Sequence, residues 1–370
     1  MLTVAFLGIA AGSLLLAGCG STSTASGSQT PKPSQTASSG SPGHAVSLLE
    51  TGSTLLYPLF QKWVPAYEAA HPEVTITPAG TGSGTGISQA IAGAVQIGAS
   101  DAYMSDAQVA ANPDMLNIPL AISAQIIAYN VPGLNNLHLK LSGPILAGIY
   151  TGHIVYWDDP AIRAANPGVN LPHHTIVPVR RNDSSGDSFL FTQYLTDSAP
   201  SVWTAGYGTS PTWPAVSAEI GAVGNGGMVQ ALKSNPYSIA YVGISYMDQV
   251  SAAGLGYAEL ENKAGRYVLP TENNIVAAAQ SMVPSTPASE RVSLVFAPGQ
   301  DAYPIINYEY AIVKNRQADK NTAAALKAFL EWAVSAQGGN QSQFLNAVHF
   351  IPLPASVRTL SDHQISEING

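Results

Sequence analysis

The chain holds one cysteine, Cys19, in 370 residues, which excludes an intrachain disulfide, a zinc ribbon and a cysteine-held iron–sulfur cluster. Charge is scarce as well: Asp, Glu, Lys and Arg make up 10% of the chain, against about 25% for an average globular protein. Basic residues are the scarcer sign, with fifteen Lys and Arg against twenty-three Asp and Glu and a net charge of −8. Such a chain has no basic face, and nucleic acid is not expected as a partner. The eight histidines are scattered. Their one adjacent pair, His173-His174, sits in a Pro-flanked loop and reads as solvated rather than metal-bound. There is no GxSxG elbow, no HExxH and no Gly-Lys-Ser/Thr of a P-loop. The Gly-rich run Gly80–Gly86 misses the GxGxxG spacing, because Thr85, Ile87 and Gln89 fall at the third-glycine position in its three registers. An enzyme is therefore the weaker class, and no metal or cofactor is expected.

What is present begins with an apolar leader. Residues 2–18 are uncharged and end in small residues at Leu16-Ala17-Gly18-Cys19, the length and pattern of a secretory signal with a cleavage site. The run is too short and Gly-broken for a membrane span, which needs about 20 apolar residues. Residues 16–19 look like a bacterial lipobox, so 1–18 are expected to be removed and Cys19 lipidated. No Lys or Arg precedes Lys32, a departure that points to a mis-chosen or trimmed start codon. Residues 19–45 are almost wholly Ser, Thr, Gly, Pro, Ala and Gln. Such a stretch cannot bury enough apolar surface to offset its ordering entropy and reads as a flexible tether. An anchor followed by a tether places the folded part beside a membrane without entering it.

The length of the remainder suits two domains at roughly 150 residues each. Strand and helix patterns alternate, which argues for an α/β protein. Strands are expected at Ala45–Leu49, Val74–Thr77, Ile97–Asp101, Ile122–Tyr129, Thr175–Val179, Ile239–Val242 and Pro304–Val313. Helices are expected from Leu56, with Leu59, Phe60, Trp63, Val64 and Tyr67 on one face, and at Ile87–Ala94, Ser188–Thr196, Gly227–Leu232 and Thr322–Gln337. Gly-rich turns at 206–208 and 224–227 make the middle more loop-rich and hint at a second domain inserted into the first.

Three loops share one chemistry. Gly52-Ser53-Thr54-Leu55, Gly82-Ser83-Gly84 and Arg181-Asn182-Asp183-Ser184-Ser185-Gly186-Asp187 each place hydroxyls and small residues just before a helix. Free N–H groups and the positive end of the helix dipole favour an anion there. Arg181 adds a guanidinium fork that matches two oxygens of a tetrahedral oxyanion. Any one such loop could be a plain N-cap; three together favour an anion site. Asp101 is the odd member, since a carboxylate repels an anion unless the anion carries a proton. It is either a turn residue or the acceptor of a hydrogen bond from a protonated oxyanion. In the second case phosphate is admitted and sulfate, which has no proton near neutrality, is rejected.

These segments, with Gly98-Ala99-Ser100-Asp101-Ala102 and Ser105-Asp106, closely resemble the phosphate-binding lipoprotein of the bacterial phosphate ABC importer, the PstS family, in its actinobacterial branch. The match of order and spacing covers residues 46–360. The resemblance implies a type II periplasmic-binding-protein fold, in which two α/β lobes joined by extended hinges close on one phosphate. It places lobe one at 46–122 plus 308–370, lobe two at 127–302, and the crossings at 122–127 and 302–308. It implies phosphate-binding roles for Ser53, Thr54, Leu55 and Ser83 as donors, Asp101 as acceptor of the phosphate proton and Arg181 as the charged fork. Ser185, Gly186 and Asp187 would close the site from the second lobe. It further implies permease and ATPase subunits as partners, and a place on the outer face of the cell membrane. Leu55 stands where many relatives have Phe, and Asp187 where many have Thr. If Asp187 and Asp101 both faced the ligand, each would need a proton to accept. The alternatives are a carrier of another oxyanion such as sulfate or molybdate and, further off, a phosphate-ester hydrolase.

Overall fold

The computed structural model describes residues 45–370; the apolar leader, Cys19 and the tether up to His44 lie outside them. Its strands are short apolar runs, as expected where both faces of a sheet are covered. β1 (Val46–Gly52), β2 (Val74–Thr77) and β3 (Ile97–Ser100) lie in parallel with β1 in the middle. β4 (Met115–Asn130) is the longest, and β5 (Lys140–Leu141) follows it. β6 (Val177–Arg181), β7 (Ile220–Ala222) and β8 (Ser238–Gly243) form a second parallel set with β6 in the middle. β9 (Gly256–Tyr257) adds to β4, while β10 (Glu259–Glu261) and β11 (Tyr267–Val268) join β5 in a small separate sheet. β12 (Ile306–Lys314) runs antiparallel between β3 and β4.

One strand serves both halves. From Met115 to Ala124, β4 pairs with β12; from Gln125 to Asn130 it pairs with β8. The order β2-β1-β3-β12-β4-β8-β6-β7 is thus two half-sheets joined through β4. At the change of partner, Gln125 N–H donates to the Ile305 carbonyl at 3.0 Å and accepts from the Tyr303 hydroxyl at 2.9 Å through its own carbonyl. The architecture is the two-lobed α/β fold of type II periplasmic binding proteins.

The sequence pattern marks this strand only from Ile122, whereas it begins at Met115. Pro119 is the reason: with no N–H to give a ladder, proline sits at edges or bulges. Here the register slips between Glu309 and Tyr310, leaving Leu120 without an opposite residue. Seven helices matter for the site and its support: α1 (Tyr57–Ala70), α2 (Ser83–Ala92), α3 (Asp106–Ala111), α4 (Gly143–Tyr150), α5 (Pro160–Ala165), α6 (Gly186–Ser198) and α7 (Gly224–Ser234). The helix α4 carries no sequence signal because it is buried at every position but Pro144 and so lacks a polar face.

Each half has its own aromatic core. In the first, Trp63 and Tyr67 of α1 pack edge-on against Phe329 of the helix Lys320–Val334, Trp63 also against its Trp332, and Phe60 meets Phe329 at a tilt. The Trp63 indole donates to the Gly339 carbonyl at 2.8 Å. In the second, Tyr241 of β8 stacks on Phe191 and Trp213. These faces follow the predicted spacing of α1: Leu59, Phe60, Trp63, Val64 and Tyr67 are all buried.

Glu50 of β1 is an expensive member of the first half. It is buried, accepts from Ala79 N–H at 3.2 Å through Oε2, and has no partner for Oε1. Burial pushes its carboxyl up to about 8. A carboxyl raised in the folded state contributes stability that is complete below its ordinary value of 4.5 and lost as pH rises to about 8. The melting temperature of Glu50→Gln should therefore exceed the wild type's by a few degrees above pH 8 and match it near pH 5. Equal melting temperatures at both pH values would show that Glu50 does not carry this cost.

Candidate functional site

The parallel strands of both halves point their carboxyl ends toward the same place, where ligands of open α/β sheets bind. β1 ends in Gly52, whose φ of 142° and contact with Ala99 admit no side chain. Its carbonyl accepts from the N–H groups of Thr81 and Gly82 at 2.8 and 2.7 Å, which ties the first two loops together. Ser53 then turns inward: its N–H donates to the Ala99 carbonyl at 2.8 Å, and its hydroxyl accepts from Leu56 N–H at 2.9 Å. The same hydroxyl donates to Asp101 Oδ1. Ser83, opening α2, donates to Asp101 Oδ2 at 3.3 Å and accepts from the Asp101 N–H at 3.1 Å. Asp101 is 1% exposed. Burial first, and then the charge of Asp187, push its carboxyl up to about 7, although hydrogen bonds with Glu309 and Ser53 and the charge of Arg181 oppose this.

The second half contributes the cation. Arg181 ends β6, and its N–H donates to the Tyr241 hydroxyl at 2.9 Å. Its side chain is buried between two carboxylates. Nε and Nη2 grip Asp183 in a fork, with 2.7 Å from Nε to Oδ1, and Nη1 donates to Asp187 Oδ2 at 2.8 Å. Burial alone would lower the guanidinium's proton affinity; Asp183 and Asp187 outweigh it and keep Arg181 charged. Burial also raises Asp183, but its bonds to Arg181 hold it below the usual carboxylate range. At Asp187 burial prevails and the carboxyl is raised. Ser185 caps α6 through Ser188 N–H at 3.3 Å. The N–H groups of Gly186 and Asp187 open that helix and have no carbonyl a turn behind them.

The halves meet tightly here. Thr54 Oγ1 accepts from the backbone and side-chain N–H groups of Asn225 at 3.1 and 3.0 Å. Gly84 N–H donates to the Ser184 carbonyl at 3.1 Å, and the Leu55 carbonyl accepts from Ser245 at 2.7 Å. Gly186 lies against Asp101 and Ser83.

All nine residues singled out from the sequence as phosphate ligands, Ser53, Thr54, Leu55, Ser83, Asp101, Arg181, Ser185, Gly186 and Asp187, are buried around this junction. The Asp187 side chain differs from the picture in which it faces a ligand: Oδ2 takes Arg181 and Asn225 at 2.8 Å each, and Oδ1 takes Gln125 at 3.2 Å. Four polar residues of the junction escaped the sequence reading: Gln125, Asn225, Asn307 and Glu309. Asn225 lies in a turn marked as glycine-rich, yet that signal points only to a turn. Asn307 donates to the Asp101 carbonyl from within β12.

Known proteins share this plan. A model of the PBP superfamily domain matches residues 24–337. The phosphate-binding protein PstS of Methanocaldococcus jannaschii is 32% identical, over 86% of this chain and 85% of its own. The family is decided. The chain belongs to the PstS family of phosphate-binding proteins. PstS 3 of Mycobacterium leprae is 33% identical over 96% of this chain and 95% of its own. The phosphate binding protein of Stenotrophomonas maltophilia shares the PstS-type fold with a TM-score of 0.65 at 20% identity, over 86% of this chain and 93% of that one.

A methyl group at residue 186 would overlap Asp101 Oδ2 and Ser83 Oγ, while the Gly186 backbone itself accepts any residue. Gly186→Ala should thus hold the halves of this PstS relative apart. Small-angle scattering should report a larger radius of gyration with unchanged far-UV circular dichroism; an unchanged radius would mean that Gly186 does not set the closed contact.

Proposed function

We propose that the chain captures inorganic phosphate outside the cytoplasm and delivers it to the permease and ATPase subunits of an ABC importer. The observation that carries this reading is the convergence of three helix N-termini on one buried pair of opposite character, the Arg181 fork and the Asp101 carboxylate. The two guanidinium N–H groups that Asp183 and Asp187 leave over, one on Nη1 and one on Nη2, and the N–H groups of Thr54, Leu55, Ser83, Gly186 and Asp187 supply donors for a tetrahedral anion. Asp101 supplies an acceptor that a protonated anion satisfies and a bare one does not. Phosphate fits that set; sulfate and molybdate meet an unpaired carboxylate. The membership in the PstS family and the names its relatives carry support the same ligand, and those relatives are transport proteins rather than enzymes.

Lobe one comprises 46–122 and 308–370 in this reading, lobe two 127–302, and the crossings 122–127 and 302–308. The change of partner within β4 at Ala124–Gln125 supports these limits. We assign Asp187 to holding Arg181 and place its backbone N–H, not its carboxylate, toward the ligand.

Titration calorimetry should show phosphate binding and no sulfate binding. Arg181→Ala should weaken phosphate by tens to thousands-fold, since removing a charge-assisted partner from a buried anion costs about 2–5 kcal/mol. Near-normal binding by Arg181→Ala would remove Arg181 from the site, and equal binding of sulfate would remove Asp101's role.

The leader and lipobox support a lipid anchor at Cys19, and among the described residues no helix is long and apolar enough to cross a membrane. A single acyl chain binds a membrane only marginally, so more than one is expected on the mature terminus. Cys19→Ala should move the protein from the membrane fraction to the soluble one after cell fractionation. Retention equal to the wild type's would end the anchor reading.

A further inference from the structure

Beneath the site lies a second buried carboxyl that neither the cation nor the helix N-termini satisfy. Glu309 is fully buried in β12. The antiparallel register sets Tyr310 opposite Ser100 and Ala311 opposite Ala99, so the next step outward brings Glu309 opposite Asp101. Side chains opposite one another in such a pair stand about 4.5–5.5 Å apart at Cβ, and like charges there repel. Oε1 of Glu309 accepts from the Ser123 hydroxyl at 2.5 Å, whereas Oε2 has no partner. An ionised carboxylate oxygen buried without a donor is costly. Asp101, by contrast, has hydroxyl donors on both oxygens.

The charge count sharpens the conflict. The groups facing this pair are Ser123 from β4, Arg181 from β6 and Asp187 from α6, with Asp183 behind Arg181. With every carboxyl ionised, Asp101, Asp183, Asp187 and Glu309 would surround one guanidinium, and an anion would have to join them.

We propose that Glu309 is a positioning residue for the phosphate site: its carboxyl stays protonated and donates from Oε2 to Asp101, so that the pair holds one negative charge, on Asp101. The proton stays on Glu309 because Asp101 has two hydroxyls to stabilise a charge and Glu309 has one. Burial first, and then Asp101 itself, raise the Glu309 carboxyl well above the usual carboxylate range. The pair titrates as a unit, and its last proton is held well above the usual carboxylate range. Asp101 is thereby left ionised and directed, with its free lone pair available to the P–OH of a protonated phosphate. This inference rests on the phosphate reading above.

The sign follows from the raised carboxyl: as pH climbs, the last proton leaves, a second negative charge appears under the ligand, and affinity falls. Phosphate affinity should be measured by calorimetry on the full chain from pH 7 to pH 10, with circular dichroism confirming the fold. Between about pH 8 and pH 10 phosphate keeps a single proton, its second ionisation lying near neutrality, so a change there belongs to the protein. The wild type should weaken about tenfold or more across that range. Glu309→Gln, neutral and still a donor, should bind within about threefold of the wild type near pH 7.5 and stay flat to pH 10. Infrared difference spectra should show one fewer protonated-carboxyl band in Glu309→Gln than in the wild type. Parallel pH profiles, or no difference band, would overturn the inference. Should Glu309→Gln fail to fold, a flat wild-type profile would overturn it alone. A wild type that binds no phosphate at any pH would instead overturn the phosphate reading, and the infrared band would still decide the state of Glu309.

Discussion

A single buried guanidinium sets the terms for the whole cleft. Arg181 is 2% exposed, and a charge so placed is tolerable only with charged hydrogen-bond partners. Asp183 and Asp187 supply them, Gln125 and Asn225 hold Asp187, and Tyr241 fixes the Arg181 backbone. The second half therefore reaches the cleft as a finished unit, with its fork already aimed. The two carboxylates also offset much of the Arg181 charge, so on the proposed reading anion recognition leans on directed N–H groups and not on bulk attraction. That suits a chain with a net charge of −8.

The first half is complementary in kind. Its polar groups, Ser53, Ser83, Asp101, Asn307 and Glu309, form a network around one carboxylate. On the proposed phosphate reading, one half measures charge and shape, and the other measures whether a proton is present. Bonds also cross between the halves: Asn225, which holds Asp187, donates to Thr54, and Gly84 donates to the Ser184 carbonyl.

How much of this could be read from the chain depends on the range of each interaction. The three loops were legible because helix capping and N-terminal anion binding are local, and residues such as Gly52-Ser53 or Ser185-Gly186 carry their meaning within a few positions. The strands were legible where apolar runs were unbroken, and α1 where Phe60, Trp63 and Tyr67 kept helical spacing. The start of β4 was hidden by Pro119, and α4 by having no polar face. Side-chain allegiance was not legible: Asp187 could face a ligand or Arg181, and only the folded distance to Nη1 separates these. Glu309 was invisible for a related reason. Its neighbour Asp101 lies far away in sequence, and an acidic residue within a strand has no local signature.

The shared strand has a mechanical consequence. Because β4 changes partner at Ala124–Gln125 without leaving its extended course, the axle between the halves is itself a hydrogen-bonded strand and not a slack loop. A strand twists readily but resists bending within its own ladder, so on the proposed hinge reading a swing of one half against the other would be a rotation about a narrow set of axes. Gln125 sits on that axle with its amide on Asp187. A contact at a pivot has almost no lever arm, so on that reading the fork it steadies would keep its aim as the halves turn.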